Sequence, residues 1–189
     1  MTAKKNFVTR VYAAFDTDRG MWLRAVRMLA ELDCLFSLAK ASEAIGATCR
    51  PEIVRADCAS IDFVNLRHPA LCLRDDDFIP NDVRLGGSQP RVVLLTGPNM
   101  GGKSTLMRMA AAGVIMAQLG MMVPAEKARI APVDKIMTRM GAYDNMFSNS
   151  STFKVELDEC CKILKEATPR SLVILDGEFR NSDAVGMRY

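Results

Sequence analysis

The stretch Thr96-Gly-Pro-Asn-Met-Gly-Gly-Lys-Ser-Thr105 carries the strongest structural signal in this chain. It follows the apolar run Val92-Val93-Leu94-Leu95, and a helical pattern begins near Lys103. The sequence therefore predicts a strand, a glycine-rich turn and a helix N-terminus in succession. Glycines let backbone N–H groups turn inward around phosphates, because no Cβ obstructs them. The helix N-terminus adds unpaired N–H groups and the positive end of its dipole.

The side chains of this stretch suit a nucleoside triphosphate. Lys103 can reach the β- and γ-phosphates, and the Ser104 hydroxyl can ligate Mg²⁺. The alternative is a glycine turn that binds nothing, and the strand before it and the helix after it argue against that alternative. The pattern predicts ATP or GTP as the ligand.

A second part of such a site is an acid near the metal. The apolar run Ser171-Leu-Val-Ile-Leu-Asp176 predicts a strand whose final aspartate could hold Mg²⁺ through water. The alternative is an ordinary strand that ends in an acidic residue. In many such ATPases the next residue is a glutamate that acts as the base, but here it is Gly177. Glu178 comes one position late, and a shift of one residue on a strand turns the side chain to the other face. Hydrolysis is therefore left open.

The composition is that of a globular protein. The chain has 189 residues, of which 49% are hydrophobic and 25% charged, which fits one domain or one domain and part of another. A net charge of +3 is too small to indicate nucleic acid by itself. We expect no membrane span and no signal peptide. Six cysteines without a C-x-x-C pair, and a single histidine, argue against a zinc site and favour a reducing compartment.

Two helices are predicted before the first linker. Apolar residues at i, i+3, i+4 and i+7 mark one face of the first helix, namely Val8, Val11, Tyr12 and Phe15. Residues 16–20 break this pattern, and a longer helix runs from Met21 to about Ala44. Because no compact core is visible in this pair alone, we expect the two helices to pack on something else. Residues 46–51 read as a linker.

The rest of the chain alternates short apolar runs with helical patterns. This alternation predicts an α/β fold with a largely parallel sheet. Residues 75–82 read as an acidic, turn-rich segment. Strands are predicted at Glu52–Ala56, Ser60–Val64, Val92–Thr96, Ile136–Arg139 and Ser171–Asp176, and helices at Lys103 to about Leu119 and at Thr152–Glu166.

In combination, these residues resemble the MutS family of DNA mismatch-repair ATPases, and the resemblance covers residues 7–176. The stretch Thr96–Thr105 is that family's particular form of the phosphate loop. Further pieces in the family's order are Arg67-His-Pro69, Asp77-Phe-Ile-Pro-Asn-Asp82, Met116-Ala-Gln-Leu-Gly120, Val123-Pro-Ala125, Thr138-Arg-Met-Gly-Ala142, Ser151-Thr-Phe-Lys-Val-Glu-Leu157 and Leu172-Val-Ile-Leu-Asp176.

The resemblance implies a fold and a division of the chain. Residues 51–176 would be an incomplete P-loop NTPase domain of the ABC-ATPase-like kind. Residues 1–46 would be helices of the family's core and lever region, and residues 177–189 an atypical tail. Within the family, Cys49-Arg-Pro51 and residues 76–86 look most like the eukaryotic MutS homologue six branch.

The resemblance also assigns roles to residues. Phe78 and Ile79 would pack on the adenine ring, with burial away from the ligand as the alternative. Ser151 would reach across a dimer to the partner's nucleotide, although from the sequence alone it is only a possible helix N-cap. Ser104 and Asp176 would hold the metal, and Lys103 and Asp176 would be catalytic. The phosphate-loop residues that would hold the nucleotide are Gly97, Pro98, Asn99, Met100, Gly101, Gly102, Lys103, Ser104 and Thr105.

The implied activity is that of a DNA-dependent ATPase. ATP and Mg²⁺ would control a clamp on mismatched DNA, in a nuclear heterodimer with a MutS homologue two-type subunit. The alternative is a fragment that binds nucleotide or partner without hydrolysis. A transporter-type ATPase would carry the signature Leu-Ser-Gly-Gly-Gln, which the sequence does not contain.

Two departures from the family pattern stand out. Ser148-Asn149 replaces the usual Ser-Gly, and residues 177–189 replace the expected Glu-Leu-Gly-Arg-Gly-Thr and the family's later residues. Gly177-Glu-Phe can be encoded with GTGAGT, the consensus start of an intron, so we favour read-through of an unspliced intron over a shortened paralogue. In either case we expect Leu172–Leu175 to face an open sheet edge, which would make the chain poorly soluble.

Overall fold

A computed structural model describes residues 2–73, 78–140, 152–176 and 185–188 of the chain. Side chains are described in these ranges except at residues 2–5, 152–156 and 185–188. The chain divides into two compact units, Met1–Ala41 and Ser42–Tyr189.

The two predicted helices at the beginning of the chain are confirmed. Helix α1 spans Thr2–Thr17, and helix α2 spans Arg19–Ala44. The break between them is shorter than predicted, because the Asp18 carbonyl accepts hydrogen bonds from the N–H groups of Met21 and Trp22 at 2.9 and 3.1 Å. The rings of Phe15 and Trp22 stack with their centroids 5.3 Å apart.

The apolar side chains of the first unit are mostly exposed. Phe7, Tyr12, Leu29 and Phe36 each keep more than half of their surface open to solvent. Among the side chains that the structure describes, from residue 6 onward, the two helices therefore build no core within their own unit, as the sequence indicated.

The second unit contains eight strands and two helices among its described residues, in addition to the end of α2. The strands are β1 Glu52–Ile53, β2 Ser60–Leu66, β3 Asn81–Gly86, β4 Val92–Leu95, β5 Lys127–Ala131, β6 Lys135–Met140, β7 Ser171–Asp176 and β8 Val185–Arg188, and the helices are α3 Lys103–Gln118 and α4 Thr152–Glu166.

The strands form two sheets of four. The first sheet has the order β1-β5-β2-β3, and apart from the short parallel pair of β1 and β5 its strands are antiparallel. The second sheet has the order β4-β8-β7-β6. In this sheet β6 and β7 are parallel, and β8 is antiparallel to both β4 and β7. Strands β4, β7 and β6 therefore all run in the same direction.

The prediction of a largely parallel sheet is wrong for the chain as a whole. It describes β4, β7 and β6, but it fails for the first sheet. Strands β3 and β5 were not predicted, because each is short and carries charged residues on its exposed face, as in Lys127-Ala-Arg-Ile-Ala131. Strand β8 was not predicted either, and it lies in the segment that the sequence marks as atypical.

Helix α3 joins the two sheets through one apolar core. Its buried residues share a cluster with Phe63 of β2 and Ile130 of β5, and also with Leu172 and Ile174 of β7. One broad apolar face of α3 matches its contacts with both sheets. The buried residues of α3 are Met107, Met109, Ala110, Gly113, Val114, Met116 and Ala117.

The expected open edge at Leu172–Leu175 is a second prediction that the structure corrects. Strand β7 pairs with β6 on one side and with β8 on the other, and its first four residues are buried. The edges of this sheet are β4 and β6. An open β7 edge therefore gives no reason to expect poor solubility.

No helix among the described residues is long and apolar enough to cross a membrane.

Candidate functional site

The predicted strand, turn and helix at residues 92–118 are all present. Strand β4 ends at Leu95 and α3 begins at Lys103. Gly102 is the N-cap of α3 and has a φ of +83°, a left-handed conformation that favours glycine. A glycine N-cap offers no side-chain oxygen to the first N–H groups of α3, whereas Ser or Asp would. These N–H groups are thus left for another acceptor, which suits an anion.

The loop turns tightly just before this helix. Met100 has a φ of +65°, and the Gly101 N–H donates to the Pro98 carbonyl at 3.1 Å. A Cβ at Gly101 would lie 2.9 Å from the same carbonyl oxygen, which is closer than real Cβ contacts. Glycine is therefore required at this position by the shape of the turn itself.

Lys103 folds back over the loop. Its Nζ donates to the carbonyl oxygens of Gly97 at 2.6 Å and Pro98 at 2.9 Å. The side chain is half-buried. The ammonium group thus lies against the loop, where it can exchange these carbonyl acceptors for phosphate oxygens.

Asp176 is the last residue of β7, and it lies at the end of the sheet where β4 leads into the phosphate loop. In the register of the second sheet, Leu94 pairs with Gly186 of β8, and Gly186 pairs with Leu175 of β7. Asp176 and Leu95 follow Leu175 and Leu94, so both strands finish at the same level of the sheet. Their axes are about 10 Å apart, because one strand separates them and each interstrand spacing is about 4.8 Å. The structure therefore places the predicted metal acid beside the predicted phosphate loop.

The segment predicted to pack on an adenine ring divides into a buried and an exposed residue. Phe78 is half-buried and packs against the apolar core. Ile79 is 78% exposed, and its carbonyl accepts a hydrogen bond from the Asn81 side chain at 3.0 Å. Ile79 is thus available to a ligand, whereas Phe78 already has a packing role. Ser151 and Gly177 lie outside the described residues.

Arg139 is a buried cation that the sequence patterns did not single out. It is only 4% exposed, and its Nε lies 3.9 Å from the Glu159 Oε2 of α4. In the register of β6 and β7, Arg139 pairs with Leu175, and Met140 pairs with Asp176. Arg139 therefore links α4 to the sheet one residue from the predicted metal acid. The signal that could have found it is a charged residue inside an apolar strand pattern.

A cluster of hydroxyl groups and one carboxylate lies at the opposite end of the second sheet, where β6 and β7 begin. The Thr168 and Ser171 hydroxyls donate to the two oxygens of Asp134, at 2.5 and 2.9 Å. These bonds, first that from Thr168, hold the pKa of Asp134 below its usual value. The Arg170 guanidinium donates to the Pro132 carbonyl at 3.0 Å. The cluster joins the turn before β6 to the turn before β7, so it fixes how these two strands start.

A cavity of about 310 Å³ lies next to the Phe78–Pro80 segment. Its lining includes Asn65, Arg67, Cys72 and Glu126. Burial raises the pKa of the Cys72 thiol, against the opposing effect of Arg67. The thiol is therefore protonated at neutral pH, which makes it a poor nucleophile.

Comparison with known proteins identifies the family of the chain. The family model "MutS domain V" matches residues 93–185. The DNA mismatch repair protein MSH6 of Saccharomyces cerevisiae is 44% identical over 188 residues, which is 93% of this chain and 15% of that protein. The chain belongs to the MutS family.

Other MutS relatives are also similar to this chain over most of its length. The Msh6 protein of Gallus gallus is 47% identical over 92% of the chain, and msh3 of Aspergillus oryzae is 45% identical over 92% of the chain. The chain spans 14% and 15% of the lengths of these two relatives. The chain thus corresponds to a small part of these proteins.

Proposed function

We propose that residues 51–176 form the nucleotide-binding part of a MutS-family mismatch-repair protein, with ATP and Mg²⁺ as ligands and the P-loop, ABC-ATPase-like fold. The observation that carries this proposal is the position of Lys103. Its ammonium donates hydrogen bonds to two carbonyls of a glycine-rich loop, and this loop lies at the same end of the sheet as Asp176. The glycine N-cap of α3 supports the proposal, because it leaves N–H donors for an anion.

The residues present fit a nucleotide bound with Mg²⁺. The backbone of residues 97–102 and the ammonium of Lys103 would hold the phosphates, and Thr105 would lie beside them. The Ser104 hydroxyl and the Asp176 carboxylate would hold Mg²⁺, which spreads the phosphate charge. Ile79 would pack on the adenine ring.

The wider role that we propose comes from the family. Both MSH6 and msh3 are named as DNA mismatch repair proteins. We propose that nucleotide state in this region controls a clamp on mismatched DNA, in a nuclear heterodimer with a MutS homologue two-type subunit. Ser151 would then contribute to the partner's nucleotide site.

A second candidate function is nucleotide binding without hydrolysis. The observation in its favour is Gly177, which stands where the family's base is a glutamate. A chain that binds ATP and Mg²⁺ but releases phosphate no faster than buffer would support this candidate. Release above that background which Lys103→Ala abolishes would support the ATPase.

The Lys103→Ala variant tests nucleotide binding. We expect it to lower the affinity for a fluorescent ATP analogue in the presence of Mg²⁺ by at least about tenfold, because a charge-assisted contact to phosphate contributes more than about 1.5 kcal/mol. Equilibrium fluorescence titration measures the affinity.

Lys127→Ala is the matched control. Lys127 is an exposed lysine on β5, in the other sheet, so its removal changes the net charge equally and leaves the loop intact. Equal affinities of the two variants, or an unmodified chain that does not bind the analogue, would contradict the proposal.

A further inference from the structure

Helix α2 presents an apolar stripe to solvent along most of its length. The apolar side chains follow the seven-residue repeat with which one helix packs along another, and they occupy its two inner positions, in steps of four and three. The residues at these inner positions are Met21, Ala25, Met28, Leu32, Leu35 and Ala39. All of them are exposed, and Met28 keeps 72% of its surface open. The stripe thus has the pattern of a helix-packing surface, but none of the residues that the structure describes covers it.

A row of larger apolar residues runs along one flank of this stripe. Trp22, Leu29 and Phe36 recur in steps of seven, and all three are exposed. With them the apolar face is three positions in seven wide, which is the width of a helix that packs in a core. An exposed surface of this size and regularity is typical of a protein–protein contact.

Two charges lie along the other flank of the stripe. Arg24 directly precedes the inner residue Ala25, and Glu31 directly precedes the inner residue Leu32. Neither charge makes an ion pair with another residue that the structure describes. Charges at this position of the repeat set the partner, the register and the direction of a helix pair.

The opposite signs of Arg24 and Glu31 fit an antiparallel second copy of the same helix. In an antiparallel pair the residues on this flank face each other, so Arg24 of one copy meets Glu31 of the other, and the two-fold axis creates this pair twice. On the other flank, Trp22 of one copy meets Leu29 of the other. Sliding the copies by seven residues would bring Glu31 against Glu31, which is repulsive.

A parallel pair would not satisfy these charges. Residues on the two flanks face each other in parallel helices, so Arg24 would lie against Leu29 and Glu31 against Phe36. Both charges would then lie against apolar side chains and would be partly desolvated without a partner. The antiparallel arrangement pairs like with like on the apolar flank and opposite charges on the polar flank.

We propose that α2 is the interface of a homodimer in which two copies of the chain pack antiparallel along this stripe, in the register that brings Arg24 to Glu31. The inner layers at the centre of this dimer are Ala25 against Met28 and Met21 against Leu32. This surface does not include Ser151, which we assign to the proposed heterodimer. The homodimer does not depend on nucleotide binding, so either proposal can fail without the other.

A charge substitution with a matched control tests the interface. Sedimentation equilibrium of the whole chain over a range of concentrations measures the dissociation constant of the dimer. We expect Glu31→Arg to raise this constant at least about fivefold, because two attractive pairs become two repulsive ones. Asp33→Arg makes the same charge change at an exposed carboxylate of α2 that lies off the stripe, and it should leave the constant unchanged.

The double variant Arg24→Glu with Glu31→Arg tests the register and the direction. It exchanges the two signs and restores both pairs, so we expect a dissociation constant within about twofold of the unmodified chain. Circular dichroism shows whether each variant keeps its helices. A double variant that is helical but does not recover the dimer would overturn the proposal, and so would one that recovers neither.

Two further results would also overturn the proposal. One is an unmodified chain that sediments as a monomer at every concentration. The other is a dimer that Glu31→Arg and Asp33→Arg weaken equally, because the contact would then respond to net charge and not to the stripe. A dimer that Glu31→Arg weakens and the double variant restores would support it.

Discussion

At the scale of single residues, Lys103 shows how the loop is prepared for its ligand. Its ammonium already makes two charge-assisted hydrogen bonds, to the carbonyls of Gly97 and Pro98. Phosphate oxygens would replace these acceptors, so binding exchanges hydrogen bonds and gains less than the new bonds alone would suggest. In return, the side chain is already ordered, which lowers the entropic cost of binding.

Asp134 allows a prediction at the same scale. Its carboxylate accepts hydrogen bonds from Thr168 and Ser171, which hold its pKa below the ordinary value of 3.8. We predict that Thr168→Val raises the pKa of Asp134 towards 3.8, because the bond from Thr168 has the largest effect on it. A pH titration of the Asp134 carboxyl carbon by NMR measures this change.

The lowered pKa of Asp134 also predicts how the stability of the chain changes with pH. A carboxylate whose pKa is lower in the folded state stabilises that state above the unfolded pKa, and this contribution is lost as the pH falls through the folded pKa. Thr168→Val should therefore lose less stability between neutral and strongly acidic pH than the unmodified chain. Asp134 is exposed, so the difference is small. Thr138→Val, at an exposed threonine on β6, is the control, and an unmoved Asp134 pKa in Thr168→Val would contradict the account.

At the scale of elements, Gly113 sets how closely α3 approaches β2. A Cβ at this position would lie 3.2 Å from the Phe63 ring and 3.3 Å from a Leu66 methyl group. We predict that Gly113→Val destabilises the second unit by about 1–3 kcal/mol, since overpacking a filled core has this cost. Faster amide exchange of Ile61 and Phe63 measures the loss.

Gly20→Val is the control for the helix itself. Gly20 lies in α2, and nothing lies within 4 Å of a Cβ placed there. The same substitution should therefore leave the exchange of Ile61 and Phe63 unchanged, and helix propensity alone predicts a small local gain in α2. Unchanged exchange in Gly113→Val would mean that α3 can move away from β2, contrary to a close packing of Gly113 on Phe63.

The elements that could be predicted from the sequence are those with a strong local signal. Helix α3 begins at Lys103 as predicted, and the left-handed Gly120 follows its last residues. Strand β7 is an unbroken apolar run because both of its faces are covered. By contrast, β3 and β5 alternate charged and apolar residues over only five or six positions, and this short period-2 pattern was missed.

At the scale of the whole molecule, strand order could not be predicted from local patterns. The insertion of β8 between β4 and β7 depends on pairing between residues far apart in the chain. The phosphate loop was found from one contiguous stretch, whereas the position of Asp176 beside it required the order of the sheet. The charge of Arg139 within the β6 pattern is visible in the sequence, but its burial needed the structure, because α4 covers it as well as β6.

The most direct test of the nucleotide-binding proposal is a titration of the isotope-labelled chain with ATP and Mg²⁺, followed through its backbone amide signals. We expect the largest shifts at Gly101, Gly102 and Lys103, where the N–H groups would meet phosphate, and a shift at Asp176 that requires Mg²⁺. A spectrum that does not change, or shifts that fall elsewhere and leave the loop unmoved, would contradict the proposal.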